Sequence, residues 1–292
     1  MIAGAQGQVG SELAVQSRSF GITAVALTRA QLDIRNREAV RQAIREAAPD
    51  YVVNAAAYNA VDRAEKEPDT ALAVNRDGPA HLASACATVG IPLVHISTDY
   101  VFDGTQAWPY RETDSPAPLG RYGLSKLMGE LAVREKLDRH IILRVSWVFS
   151  HHRDNFVRTV LRLAKTEERL RMVADQESCP TAAQDIAGMI LRLARQYQEQ
   201  STLPWGTYHY CGAPATSRFD YAQAIVDVAR TWQNLKVTEL TPVPSSEFAA
   251  PAKRPTRSVL DCRHTCDTFG IEQPRWQPAL KIVLEQLCSK PV

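Results

Sequence analysis

Over the first 150 residues, short apolar runs alternate with segments whose apolar residues recur at helical spacing, and this alternation constrains the fold more than any other feature of the chain. A strand that reaches its parallel neighbour through a covering helix is buried on both faces, so it reads as an unbroken apolar run. Strands are expected over residues 23–27, 50–54, 92–97 and 140–145. Helices are expected over 37–47, 70–89 and 122–135, with Gly90 and Pro92 stopping the 70–89 segment. Right-handed crossovers then build one Rossmann-like, doubly wound parallel sheet of the α/β class.

Beyond Ser146 the pattern is less regular, with helices expected over 155–165, 183–196, 217–232 and 278–287. We read residues 1–150 as a dinucleotide-binding domain and 151–292 as a smaller, partly interleaved substrate-binding region. Pro242, Pro244, Pro251 and Pro255 exclude a long helix over 241–255. That segment is expected to be an extended loop over the site or between subdomains.

Gly4-Ala5-Gln6-Gly7-Gln8-Val9-Gly10 spells G-x-x-G-x-x-G just before a helical pattern over 11–18. Glycines there allow a tight turn and let backbone N–H groups approach a diphosphate at a helix N-terminus. Gly4, Gly7, Gln8, Val9 and Gly10 are therefore candidate dinucleotide contacts. A strand should precede such a loop, yet only Met1, Ile2 and Ala3 stand before it. Either the true start lies several residues upstream or the fold tolerates a stunted strand.

Near the end of the second strand an acid would bind the adenosine ribose, whereas an arginine accommodates the extra phosphate of NADP. Thr28 and Arg29 stand there, which favours NADPH, with NADH as the alternative. Asp33 and Ile34 can flank the adenine. The run Asn54-Ala55-Ala56-Ala57-Tyr58-Asn59 offers small residues where the nicotinamide-side ribose would pass. Either set serves equally well as turn packing.

Tyr122 and Lys126 fall one helical turn apart, so the ammonium can stand near the phenol and lower its pKa. The phenol would then deliver a proton near neutral pH. Thr98 ends the apolar run expected over 92–97, at the sheet edge where ligands bind in such folds, and can hydrogen-bond the same carbonyl oxygen. A hydroxyl, a phenol and an ammonium in this order suit carbonyl reduction with a nicotinamide.

The chain has 292 residues, 45% hydrophobic and 23% charged, with a net charge of +2. No basic, aromatic-interleaved stripe points to nucleic acid. No apolar run of membrane-spanning length and no signal sequence are visible, so a cytoplasmic protein with no membrane partner is expected. The six cysteines form no C-x-x-C pair and read as reduced core residues. Cys262, His264 and Cys266 fit no common zinc spacing, and no metal is assigned.

Gly4 to Gly10, NAAAYNAVDRAE (54–65), STDYVFDG (97–104), YGLSKLMGE (122–130), LRVSWVF (143–149), NFVRTVLRLA (155–164), Arg254-Pro255 and SVLD (258–261) run almost end to end. Together they resemble the extended short-chain dehydrogenase/reductases, and among them closely the dTDP-4-dehydrorhamnose reductases. The resemblance implies NADPH-dependent reduction of the C4 carbonyl of dTDP-4-dehydro-L-rhamnose to dTDP-L-rhamnose. It makes Thr98, Tyr122 and Lys126 the catalytic set, with Tyr122 and Lys126 also touching cofactor. It gives Gly7, Gln8, Val9, Asp33, Ile34, Ala57, Tyr58 and Asn59 as cofactor positions. Thr98, Asp99, Tyr100 and Trp147 fall on the nucleotide-sugar side, with Trp147 as a stacking platform for thymine.

Glu177 and Ser178 depart from the family pattern, where many relatives carry an aromatic residue and a glycine. Certain members dimerise through a magnesium site lined by glutamates; Glu12 matches one such position and no others are placed. Homodimerisation is an expectation on the same ground. Two alternatives stay open: a non-catalytic regulatory subunit resembling the beta subunit of methionine adenosyltransferase, and an enzyme acting on another nucleotide-sugar.

Overall fold

Six parallel strands form the central sheet of the computed structural model, which describes residues 1–248 and 250–289. They are β1 (Ile2–Ala3), β2 (Ala26–Leu27), β3 (Val52–Asn54), β4 (Leu93–Thr98), β5 (His140–Val145) and Gly206–His209. Their spatial order runs Gly206–His209, β5, β4, β3, β1, β2, with helices in the crossovers. This is the Rossmann-like sheet the periodicity implied. β5 has the expected bounds, and β2 and β3 are shorter than expected.

The stunted strand takes a central place. β1 pairs on both sides, Ile2 opposite Ala26 and Val53, and Ala3 opposite Leu27 and Asn54. Ile2 N donates to Val25 O at 2.8 Å, Val53 N donates to Met1 O at 2.9 Å, and the Met1 amino group donates to Tyr51 O at 2.7 Å. Pairing on two edges compensates for a length of two residues.

The helix Arg37–Ala47 also has its expected bounds, because Asn36 caps it by accepting from Glu38 N and Ala39 N. The helix expected over 70–89 is instead three pieces: Pro68–Leu72, a π-helical turn Ala73–Asp77, and Gly78–Val89. Pro79 explains the break. It lacks an N–H and its ring would collide with the Asn75 carbonyl one turn back, so the helix widens there. The Asn75 carbonyl turns outward against the helix Arg121–Lys136, where a Cβ on Gly129 would lie 2.0 Å from it.

The second half of the chain contributes the edge strand Gly206–His209 and the helix Ala183–Gln200, which packs on α1 (Gln8–Gln16) through Leu13, Ile186 and Ile190. A separate core joins the helices Phe156–Thr166, Arg218–Arg230 and Trp276–Cys288 around Tyr221, Val160 and Leu280. The proline-rich segment is not loop throughout: Glu239–Val243 is a strand, parallel to Arg169–Val173, with Pro242 opposite Met172. This ribbon has two strands, so both are edges, where a proline that cannot donate is tolerated. Ala249 of that segment lies outside the described residues. Among the described residues no helix is long and apolar enough to cross a membrane.

Candidate active site

Thr98 closes β4, where its hydroxyl accepts from Tyr100 N at 3.2 Å and donates to Asp99 Oδ1 at 3.0 Å. The helix Arg121–Lys136 lands on the same spot because Gly123 has no side chain: a Cβ there would lie 2.2 Å from Tyr100 O. That contact brings the Tyr122 phenol to the Thr98 hydroxyl. The phenol also donates to Asn59 Oδ1 over 3.4 Å, and its ring meets Tyr100 edge-on at 5.8 Å.

The electrostatics correct one expectation. The Lys126 ammonium donates to Ile96 O at 2.6 Å, and Lys126 is not among the groups that shift Tyr122. Burial raises the Tyr122 phenol well above its ordinary pKa; the Thr98 hydrogen bond opposes this, while Asp99 and Tyr100 reinforce it. Burial pulls the Lys126 ammonium down to about 8, with Glu130 opposing.

Asp99 is 2% exposed and its carboxylate accepts from Ser258 Oγ at 2.6 Å and Ser178 Oγ at 3.3 Å. Burial pushes it up to about 6 against hydrogen bonds from Ser258 and Thr98 and the charge of Arg218. The residues that depart from the family pattern thus have local roles. Ser178 binds Asp99, and Glu177 pairs with Arg257 at 2.8 Å.

Two cavities meet along the C-terminal edge of the sheet. The first, about 320 Å³, is lined by Gly4, Arg29, Asp33, Ile34 and Tyr58 among others. The second, about 430 Å³, is lined by Gln8, Val9, Thr98, Asp99, Tyr100, Tyr122, Lys126, Trp147 and Arg218. Gly7, Ala57 and Asn59 line both. Gly10 lines neither; it is a packing residue, since a Cβ there would lie 2.2 Å from Gly4 O. Asp33 is held by Arg35, whose hydrogen bonds lower its carboxyl pKa, and the Tyr58 hydroxyl donates away from the cavity to Glu67 at 2.8 Å. The loop fits a dinucleotide: Gly4 has φ +87, and a Cβ on it would lie 2.6 Å from Ala56 N. Glycine here lets the turn lie flat on the sheet, with Gly7 facing both cavities.

Among the described residues Cys262, His264 and Cys266 do not converge on a metal position. Cys262 is buried 3.5 Å from Cys211, and His264 stacks on Tyr208. Glu12 lies 3.2 Å from His152 Nε2 and accepts from Gln16 at 3.0 Å.

Residues 1–289 match the family model described as RmlD substrate binding domain. A dTDP-4-dehydrorhamnose reductase of Sinorhizobium fredii is 41% identical over 283 residues, which are 96% of this chain and 94% of that protein. The chain belongs to the dTDP-4-dehydrorhamnose reductase family. Crystal structures of two members superpose closely, each 35% identical with 98% of both chains covered. The protein of Clostridium acetobutylicum gives a TM-score of 0.91 and that of Bacillus anthracis, solved in complex with NADP, gives 0.89.

Within this dTDP-4-dehydrorhamnose reductase family frame, several residues of the site carried no sequence signal. The Arg218 guanidinium covers the Trp147 ring at 3.8 Å, a contact made across 71 residues of chain that no local pattern announces. Trp147 itself has φ +40, a left-handed conformation that turns its ring into the cavity wall. Behind β4 lies a buried ion pair: Glu130 accepts from Arg144 at 2.7 and 2.9 Å and from Ser97 Oγ at 2.6 Å. Glu130 belongs to the YGLSKLMGE run, so helical spacing from Lys126 was the one clue available. Arg254 pairs with Asp62 at 2.8 Å and faces Tyr100, so the proline-rich segment does reach the site at its far end.

Proposed function

We propose that the protein reduces the C4 carbonyl of dTDP-4-dehydro-L-rhamnose to dTDP-L-rhamnose with NADPH. It is an oxidoreductase, and the observation that carries the finer reading is the meeting of the Thr98 and Tyr122 hydroxyls at the wall of a cavity that adjoins the glycine loop. When bound, the nicotinamide supplies hydride. Gly4, Gly7, Gln8 and Val9 would hold the dinucleotide, with Asp33, Ile34, Ala57, Tyr58 and Asn59 along its adenosine and ribose path. Arg29 lines the adenosine-side cavity near Asp33, whose carboxyl its charge helps to hold down, and supports a preference for the 2′-phosphate of NADPH.

Thr98 orients the carbonyl oxygen. Tyr122 gives that oxygen its proton as negative charge develops there, an alkoxide being a stronger base than a phenolate. Burial favours this direction because it keeps the phenol protonated until a stronger base forms beside it. Lys126 holds the nicotinamide ribose from its perch on Ile96 O. Asp99, Tyr100 and Trp147 shape the nucleotide-sugar end.

The test mixes purified protein with NADPH and enzymatically generated dTDP-4-dehydro-L-rhamnose and follows loss of reduced-nicotinamide absorbance. Wild type should turn over, and Tyr122→Phe should fall by roughly a hundredfold or more. Undiminished turnover by Tyr122→Phe would remove the proton donor assignment. A silent wild type that still binds NADPH would point to a binding subunit or another sugar.

A further inference from the structure

The two cavities meet at Gly7, Ala55, Ala56, Ala57, Asn59 and Arg153, and Arg153 is the charged member of that set. It stands on the loop that links Val148–Phe149 to the helix Phe156–Thr166, opposite the start of α1. Its Nε donates to Gln6 O at 2.8 Å and its Nη2 to Gln6 Oε1 at 3.3 Å, so the guanidinium is moored on the glycine loop. Among the described residues no carboxylate pairs with it, and its hydrogen bonds leave from Nε and Nη2, not from Nη1.

The mooring is reinforced on both sides of Arg153. Gln8 Oε1 accepts from Ser150 Oγ at 2.9 Å and from Asn155 Nδ2 at 3.0 Å, while His152 Nε2 lies 3.2 Å from Glu12. Gln6 and Gln8 therefore hold one short loop in place. The backbone of Arg153 has φ +53, a left-handed conformation in which arginine gains nothing that glycine would lack. What this strained position provides is a cation at the junction of the cavities, facing the uncapped N-terminus of α1.

We propose that Arg153 clamps the diphosphate of the dinucleotide from the side opposite the α1 N-terminus. The inference rests on the cofactor reading above and extends it to a residue outside the glycine motif. A diphosphate joins the two halves of the cofactor, so it belongs where an adenosine cavity and a nicotinamide cavity meet. Backbone N–H groups of α1 address one side of it, and the free edge of the guanidinium addresses the other through charge-assisted hydrogen bonds. Because NADH and NADPH share that diphosphate, Arg153 strengthens both, whereas Arg29 strengthens NADPH alone.

Calorimetric titration without sugar separates these roles, using NADPH, NADH and 2′-AMP against wild type, Arg153→Gly, Arg153→Lys and Arg29→Ala. Glycine accepts the left-handed backbone, which offsets the loss of the two hydrogen bonds to Gln6, so Arg153→Gly should melt close to wild type. Arg153→Gly should bind NADPH and NADH about tenfold more weakly, by the same factor for each, and 2′-AMP, which lacks the diphosphate, as wild type does. Arg153→Lys should recover part of the loss. Arg29→Ala should weaken NADPH and 2′-AMP and leave NADH unaltered. Equal dinucleotide affinity in wild type and Arg153→Gly overturns the clamp, as does an equal loss for 2′-AMP. A wild type that binds neither dinucleotide overturns the cofactor reading, and the clamp with it.

Discussion

The guanidinium of Arg218 stacks on Trp147 at 3.8 Å while Phe156 meets the same guanidinium at 4.8 Å, so one face of the Trp147 ring is already covered. Tyr221 lies on the indole as well, nearly parallel at 6.4 Å. A thymine that stacks on that face of Trp147 must displace Arg218 first. Arg218→Ala should therefore bind thymidine, which lacks phosphates, more tightly than wild type by roughly two- to thirtyfold, the worth of one cation–π partner. Calorimetry with thymidine decides it; equal affinities would mean that the base does not use this face.

Lys126 sets an alkaline limit. Its ammonium is pulled from 10.5 down to about 8, so it is charged below that pH and neutral above. kcat/KM for NADPH reports groups of the free enzyme and should fall as pH rises through about 8. An arginine keeps its charge to far higher pH, so Lys126→Arg should lose this limb even at reduced activity. A limb at the same pH in the variant would assign it to another group.

Asp99 makes stability depend on pH. Its folded pKa of about 6 exceeds the ordinary 3.8, so the folded state holds its proton more firmly than the unfolded chain does. That contribution is fully present below about 3.8 and is lost as pH rises through 6, the loss reaching about 3 kcal/mol by neutral pH. Asp99→Asn removes the titration. Its melting temperature should gain on wild type between about pH 4 and pH 7, and a constant difference across that range would refute the assignment.

Glu130 and Arg144 are 0% and 1% exposed, and Arg134 shares the carboxylate at 3.0 Å. Glu130→Gln strands a buried guanidinium and should lower unfolding stability by about 3–5 kcal/mol in urea titration. Replacing both partners, Glu130→Leu with Arg144→Met, removes the stranded charge and should recover most of that loss. Equal losses in the single and double variants would show that packing, not charge pairing, sets the cost.

Sequence patterning revealed the sheet because a buried parallel strand needs an apolar run, and β4 and β5 supply one. It revealed the meeting of Thr98 with Tyr122 because one ends a strand and the other begins a helix. It misjudged what surrounds them. Residue spacing brings Lys126 near Tyr122, but whether its ammonium faces the phenol or the Ile96 carbonyl depends on packing that spacing does not encode. Gly10 reads like Gly7 in the motif, yet one is pressed against Gly4 O and the other lines both cavities. Arg218 and Arg153 reach the cavities from distant segments, and Ser258 reaches Asp99 across 159 residues. Such contacts exist only once the chain is folded.

The widened turn Ala73–Asp77 has a consequence for how this chain can vary. Asn75, lifted outward there, accepts from Tyr58 N at 2.8 Å and donates to Tyr58 O and Ser125 Oγ, each at 3.0 Å. It thus ties the cofactor-side loop to the helix that carries Tyr122 and Lys126. Deleting one residue from the turn would press it towards regular helix, where the Pro79 ring meets the carbonyl four residues back. The same deletion would rotate Asn75 by about 100° and cut both ties. At this point the protein is more sensitive to the number of its residues than to their identity, and a shorter relative could keep every catalytic side chain while misaligning the groups they must serve.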